Sequence, residues 1–148
     1  QSRLNKQIVI DKGFNDGVTL SHLILGPDGV VGVVTQVTPL YSTVKLVTDP
    51  TQYMPVKNSR NGIRGVTKGL ASNENGMAVE YVSLDSDVKV GDIFVTSGIG
   101  NSYPIGYLVG RVTKINNLLS DSFLSITLEP LQNINKLELV LIILEKNE

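Results

Sequence analysis

Gly29-Val30-Val31-Gly32-Val33-Val34-Thr35-Gln36-Val37 decides how this chain is read, because a close copy follows at Tyr107-Leu108-Val109-Gly110-Arg111-Val112-Thr113-Lys114-Ile115. Each copy passes through a turn into an alternating segment that ends on an acid and a proline. The first such segment is Ser42-Thr43-Val44-Lys45-Leu46-Val47-Thr48-Asp49-Pro50 and the second is Ser122-Phe123-Leu124-Ser125-Ile126-Thr127-Leu128-Glu129-Pro130. In the second, Leu124, Ile126 and Leu128 share one face while Ser125 and Thr127 share the other, the two-residue period of a half-buried strand. The repeat extends upstream, with Asp16-Gly17-Val18 ahead of a strand in one copy and Val90-Gly91-Asp92 ahead of Ile93-Phe94-Val95-Thr96 in the other. Its spacing drifts by a few residues, as loop insertions allow.

Working outward, strands are expected over 8–10, 19–25, 30–37, 43–48 and 53–57, then over 64–67, 77–82, 93–96, 108–115, 123–128 and 139–144. Most are rich in β-branched residues and bounded by Gly, Asn, Asp or Pro. Helical spacing of apolar residues is nearly absent; residues 133–137 offer one helical turn. Many short strands with regular turn punctuation predict an all-β protein, either sandwich or barrel. Two small six-stranded-type β-barrels side by side, with little helix, fit the duplication. Closure protects edges that otherwise aggregate, and glycine at matched positions permits tight bends. Residues 8–60 and 131–148 are assigned to a discontinuous first module and 61–130 to the second. The boundary is placed in the polar stretch Asn58-Ser59-Arg60-Asn61-Gly62, and the last strand returns to complete the first module.

The chain has 148 residues and a formal net charge of −1, a balance that marks neither a nucleic-acid binder nor an acidic tail. It contains no cysteine and one histidine. A disulfide framework and a thiolate metal site are thereby excluded, and a multi-histidine site has no basis. The longest apolar run, 139–144, falls far short of the roughly 20 residues of a membrane span. No signal peptide is recognisable. The opening Gln1-Ser2-Arg3-Leu4-Asn5-Lys6-Gln7 lacks an initiator methionine and reads as part of a longer protein.

Several constellations bear on function. His22, Asp49 and Ser97 occur in the order used by chymotrypsin-like serine hydrolases, which also pair two β-barrels. Ser97 nevertheless sits in Thr96-Ser97-Gly98-Ile99-Gly100, without the glycine surround that builds that family's oxyanion hole. His22 then reads as a strand-edge residue, Asp49 as a turn residue before Pro50, and Ser97 as a loop residue. Gly26-Pro27-Asp28-Gly29 and Gly98-Ile99-Gly100 open no helix that could hold phosphate and read as turns. Asp85 and Asp87 lack the further oxygen ligands of a calcium loop. Lys57, Arg60, Arg64 and Lys68 form the best basic cluster, but aromatics do not interleave with it as single-strand binding requires. The loop from Ser97 to Gly106 differs, because it places Ile99, Tyr103 and Ile105 among glycines. An apolar surface loop is either tucked onto its own barrel or offered to a partner.

A resemblance to a known family rests on motifs running in order over nearly the whole chain. They are Asp16-Gly17-Val18, Gly26-Pro27-Asp28-Gly29-Val30-Val31-Gly32-Val33-Val34, Leu46-Val47-Thr48-Asp49-Pro50, Gly62-Ile63-Arg64-Gly65-Val66, Val90-Gly91-Asp92-Ile93-Phe94-Val95-Thr96-Ser97-Gly98 and Tyr103-Pro104-Ile105-Gly106-Tyr107-Leu108-Val109-Gly110-Arg111-Val112. Jointly they resemble the rod shape-determining MreC family, whose loop usually carries Phe-Pro-Lys-Gly where this chain has Tyr103-Pro104-Ile105-Gly106. The resemblance implies a non-enzymatic scaffold of the bacterial cell-elongation machinery without cofactor or metal. It implies an extracytoplasmic (periplasmic) all-β region, anchored to the cytoplasmic membrane through an N-terminal helix absent from this chain. Residues 1–7 then end a coiled coil. Implied partners are a class B penicillin-binding transpeptidase, held in an active state, together with MreD, the MreB system and further copies of itself as a dimer or filament. Nucleic acid is not among them. Ile99, Tyr103, Pro104 and Ile105 are the expected partner-binding loop. The readings from other classes are a chymotrypsin-like serine hydrolase and a peptidoglycan-binding module, the latter requiring an exposed aromatic platform.

Overall fold

The computed structural model describes residues 6–71, 75–98, 104–117, 122–137 and 141–143. Among the described residues eleven strands are present: β1 (Gln7–Ile10), β2 (Leu23–Gly26), β3 (Gly29–Val37), β4 (Ser42–Leu46), β5 (Tyr53–Asn58), β6 (Arg64–Gly69), β7 (Met77–Glu80), β8 (Ile93–Thr96), β9 (Leu108–Asn116), β10 (Ser125–Pro130) and β11 (Leu141–Ile143). Helix is limited, among the described residues, to two 3₁₀ turns, Phe14–Asp16 and Ile134–Lys136. The second falls where one helical turn is expected, with the Asn133 side chain accepting from the Asn135 N–H at 2.9 Å.

The strands form two units. One is a closed barrel in the order β10-β7-β6-β5-β8-β9, and the other a five-stranded sheet in the order β1-β4-β3-β2-β11. All pairings are antiparallel. The all-β architecture of two units therefore stands, but the first unit is an open sheet over the described residues rather than a second closed barrel. β11 pairs with β2, with Leu141 opposite Leu25, so this sheet draws strands from both sides of the barrel segment.

The division between the units differs from the sequence expectation. The sequence pattern places residues 53–60 in the first module, yet β5 pairs with β6 and β8 and is a barrel stave. The polar stretch Asn58 to Gly62 is the β5–β6 hairpin turn rather than a boundary: the Gly62 N–H donates to the Asn58 carbonyl at 2.7 Å, with Gly62 at φ 79°. Turn chemistry and linker chemistry use the same polar and glycine residues, so composition does not separate them. The chain changes sheets in the segment 47–52 instead. The expected strand 19–25 also starts late, at Leu23. Ser21 at φ 72° forms a turn ahead of it, and the Thr19 N–H donates to His22 Nδ1 at 3.1 Å.

The repeated phrase becomes a repeated strand geometry. Gly32 lies opposite Leu46 of β4, and Gly110 opposite Pro130 of β10. A methyl group on Gly32 would collide with the Lys45 carbonyl, and one on Gly110 would approach the Glu129 carbonyl to 2.8 Å. Three residues after each glycine stands a threonine without a cross-strand partner: the register skips Thr35 in β3 and Thr113 in β9. Such bulges bend a strand and increase its twist. Gly-x-x-Thr thus encodes one close approach and one bend, twice.

The barrel core is built by alternation, from Met54, Val56, Met77, Val79, Phe94, Ile126 and Leu128. Leu23, Leu25, Val30, Val33 and Val47 of the sheet segment join the same cluster, welding the two units. The other face of the sheet covers a smaller core of Ile10, Val18, Ile24, Val31, Val34, Val44 and Leu46. β3 is therefore buried on both faces at its centre, which explains its nearly unbroken valine run.

Candidate functional site

Only part of the expected contact loop can be placed. Ile99 and Tyr103 lie outside the described residues; Pro104 is half-buried and Ile105 is 47% exposed. The turn that carries them is set by Thr96, whose side chain is fully buried. Its hydroxyl donates to the Pro104 carbonyl at 2.6 Å and accepts from the Tyr107 N–H at 3.0 Å. The Gly106 N–H donates to the Thr96 carbonyl at 2.8 Å, with Gly106 at φ 91°, a conformation that favours glycine. Ile105 is thus held outward by a fixed turn, beside the exposed Leu108 at the start of β9.

A second apolar surface escaped the sequence reading. Phe14, Leu20, Leu40 and Tyr41 are exposed at one end of the five-stranded sheet. The Phe14 and Asn15 N–H groups donate to the Thr38 and Pro39 carbonyls at 2.9 and 3.1 Å, tying the 3₁₀ turn to the β3–β4 turn. Gly13 makes this possible, since a side chain there would strike the Thr38 carbonyl. A groove of about 510 Å³ runs between Phe14, Leu20 and Val37. The signal available in sequence was Pro39-Leu40-Tyr41, two large apolar residues in a turn where polar ones are usual.

Between the units lies a third concavity, of about 470 Å³, lined by Lys6, Val31, Thr48, Glu129, Gln132 and Ile134 among others. Asp49 stands behind it. Its carboxylate accepts from the Lys6 N–H at 2.8 Å on one oxygen, and from the Thr51 N–H at 2.8 Å and Thr51 hydroxyl at 2.6 Å on the other. Burial alone would push this carboxyl up. The hydrogen bonds from Thr51 and Lys6, with the charge of Lys45, outweigh that and hold it below the usual carboxylate range.

These contacts answer the serine-hydrolase reading. Among the described residues, Ser97 Oγ is buried without a hydrogen-bond partner, so neither His22 nor Asp49 is bonded to it as a base would be. His22 accepts on Nδ1 from its own turn, whereas a triad histidine must carry a proton there toward its carboxylate. Asp49 holds the segment where the chain changes sheets. The three residues are not brought together as a triad.

The expected basic cluster is kept only in part: Lys57 of β5 and Arg64 of β6 lie opposite one another, whereas Arg60 is drawn onto acids. Arg60 forks onto Asp92, with Nε–Oδ1 at 3.0 Å and Nη2–Oδ2 at 2.9 Å, and reaches Asp87 at 2.9 Å. Asp92 also accepts from Asn58 Nδ2 at 2.8 Å and the Lys89 N–H at 2.9 Å. The Arg60 guanidinium foremost, then Asn58 and Lys89, hold the Asp92 carboxyl well below its ordinary value against the opposing effect of burial. Hydrogen bonding from Arg60 lowers Asp87 as well. Lys68 lies 5.8 Å from the centre of the Tyr53 ring. Asp85 accepts from Ser83 at 2.8 Å, and no group of acids or histidine suited to a metal ion occurs among the described residues.

With this geometry in hand, the likeness to known proteins is specific. The family model described as "Rod shape-determining protein MreC, barrel core" matches residues 1–144. The cell shape-determining protein MreC of Escherichia coli is 33% identical over 137 residues, covering 93% of this chain but 37% of the relative's length. The crystal structure of MreC from Pseudomonas aeruginosa superposes with a TM-score of 0.90 at 33% identity, covering 95% of this chain and 90% of that one. A more distant structure, at 17% identity and TM-score 0.67, shares the fold and is a complex between penicillin-binding protein PBP2 and MreC from Helicobacter pylori.

Proposed function

This chain belongs to the MreC family of rod shape-determining proteins, and on that footing we propose that it is the extracytoplasmic scaffold region of a cell-elongation complex. Its task is to bind and position a class B penicillin-binding transpeptidase rather than to perform chemistry. The observation that carries the reading is the rigid presentation of apolar side chains: Ile105 on the Thr96-braced turn, with Leu108 beside it, stands out from a welded all-β frame. The complex formed by the H. pylori relative supports a partner of this kind. Exposed apolar residues on a fixed backbone bind with little ordering cost, which favours a defined interface. If the bound conformation of the transpeptidase is its active one, differential affinity alone shifts it toward activity. Contacts with MreD, the MreB system and further copies of the chain belong to the same proposal, as does its anchoring to the cytoplasmic membrane. Edge strand β1 offers main-chain groups for self-pairing.

The test is sedimentation of the chain, alone and with the periplasmic part of the transpeptidase. Ile105→Ser with Leu108→Ser is expected to weaken the mixed complex by about tenfold or more while thermal stability is kept. Unchanged association would remove this turn from the interface. The Tyr103→Ser and Ile105→Ser pair tests the full expected loop in the same way.

A further inference from the structure

The barrel carries an exposed aromatic feature that the scaffold reading does not use. In β7, Met77 and Val79 point inward and Ala78 and Glu80 outward. Continued alternation would send Tyr81 into the core. Instead Tyr81 adopts φ 70°, a left-handed conformation uncommon for a bulky residue. The reversal leaves Tyr81 64% exposed and places Val82, at 1%, inside. The Tyr81 ring meets Phe123, itself 45% exposed, edge to face at 5.9 Å between centroids and 86° between planes. Phe123 is fixed by its bridge to Ser83 and by the neighbouring Leu124 N–H, which donates to the Val82 carbonyl at 2.8 Å. The strained backbone therefore holds an aromatic pair at the surface, where strain of this kind tends to mark function.

The pair borders an open groove of about 570 Å³ whose other lining includes Glu80, Ser122 and Ser125. The register that places Ile126 opposite Val79 sets Ser125 beside Glu80 on the outer face. Among the described residues, no intramolecular hydrogen bond occupies the Glu80 carboxylate or the Ser125 hydroxyl. None of the lining side chains is cationic; by register Lys68 stands opposite Ala78 and over the Tyr53 ring, and Lys114 stands opposite Thr127, both next to the lining and not in it.

We propose that this groove binds a neutral polysaccharide strand. A pyranose has faces of C–H groups and a rim of hydroxyls. The C–H face stacks on the negative face of an aromatic ring, and the rim matches an acceptor carboxylate flanked by serine hydroxyls. A polyanion would need cations that the lining lacks. A protein hot spot would favour a water-excluding apolar centre, whereas here the aromatic pair opens directly onto acceptors for hydroxyl groups. The site lies on the β7–β10 side of the barrel and leaves the Ile105 turn free for another partner.

Nuclear magnetic resonance titration of the labelled chain with chitotetraose and with cellotetraose tests the site. Saturable shifts are expected at Glu80, Tyr81, Phe123 and Ser125. Phe123→Leu keeps apolar bulk without a ring face and is expected to weaken binding about fivefold. Tyr81→Gly removes the ring but suits the left-handed backbone, so it is expected to abolish binding with the thermal midpoint kept or raised. No shift at these residues up to about 10 mM sugar, shifts confined to another surface, or undiminished binding by Tyr81→Gly would overturn the proposal. So would shifts at these residues caused by the transpeptidase ectodomain without any response to sugar.

Discussion

At the residue scale, the repeated glycines act through what stands opposite them. Gly32→Ala drives a methyl group onto the Lys45 carbonyl, part of a backbone that cannot swing aside, and is expected to cost about 3 kcal/mol. Gly110→Ala meets the Glu129 carbonyl less severely, with the Leu128 Cβ and the movable Met77 methyl each 3.1 Å away, and is expected to cost about 1–2 kcal/mol. Gly62→Ala meets no neighbouring atom and is strained only by its positive φ, costing about 1 kcal/mol. Urea unfolding of the three variants checks this order. The glycines were legible as framework positions because they recur in matched phrases. The bulges at Thr35 and Thr113 were not, since a bulge is a relation between two strands and neither sequence carries it alone. Tyr81 was illegible for a related reason: the pattern that should bury it is intact, and a single dihedral reverses the outcome.

At the element scale, two polar braces shape the loops. Thr96→Val deletes the hydroxyl shared by Pro104 and Tyr107, and is expected to cost about 1–2 kcal/mol and to speed amide exchange at Gly106 and Tyr107. The second brace ties the β5–β6 hairpin to the approach to β8 through Asn58, Arg60 and Asp92. Folding lowers the carboxyl groups of Asp49, Asp87 and Asp92. The unfolded chain therefore binds their protons more tightly. Their stabilising contribution is full above about pH 4 and drains away as pH falls toward the folded-state values. Stability measured in urea is expected to decline on acidification through that window, and Asp92→Asn is expected to flatten the decline while lowering stability at neutral pH. Strand positions were readable from β-branched runs between turn residues. The partners of β5 were not, because Asn58 to Gly62 has the composition of a linker and the geometry of a hairpin. The candidate contact loop was legible as apolar residues among glycines; the Phe14 and Tyr41 surface was not, because its residues come from two turns brought together by main-chain hydrogen bonds.

At the scale of the whole molecule, the units share one hydrophobic cluster, yet their strands are gathered differently. The barrel takes β5 to β10 from one continuous stretch of chain, whereas the open sheet needs β11 to return from beyond that stretch to lie against β2. Every barrel pairing is consequently local by comparison, and among the described residues the β2–β11 pairing closes the longest loop of any strand pair. A ribosome emitting this chain releases the first four strands early and must then withhold the strand that completes their sheet until the barrel has been delivered. During that interval the β2 edge is unpaired, an opening through which a neighbouring nascent chain can exchange strands. Pulse-labelled hydrogen exchange during refolding is expected to protect Val56 and Ile126 before Leu23 and Ile24. The barrel in the middle of the chain would then be made before the sheet that is built from its two ends.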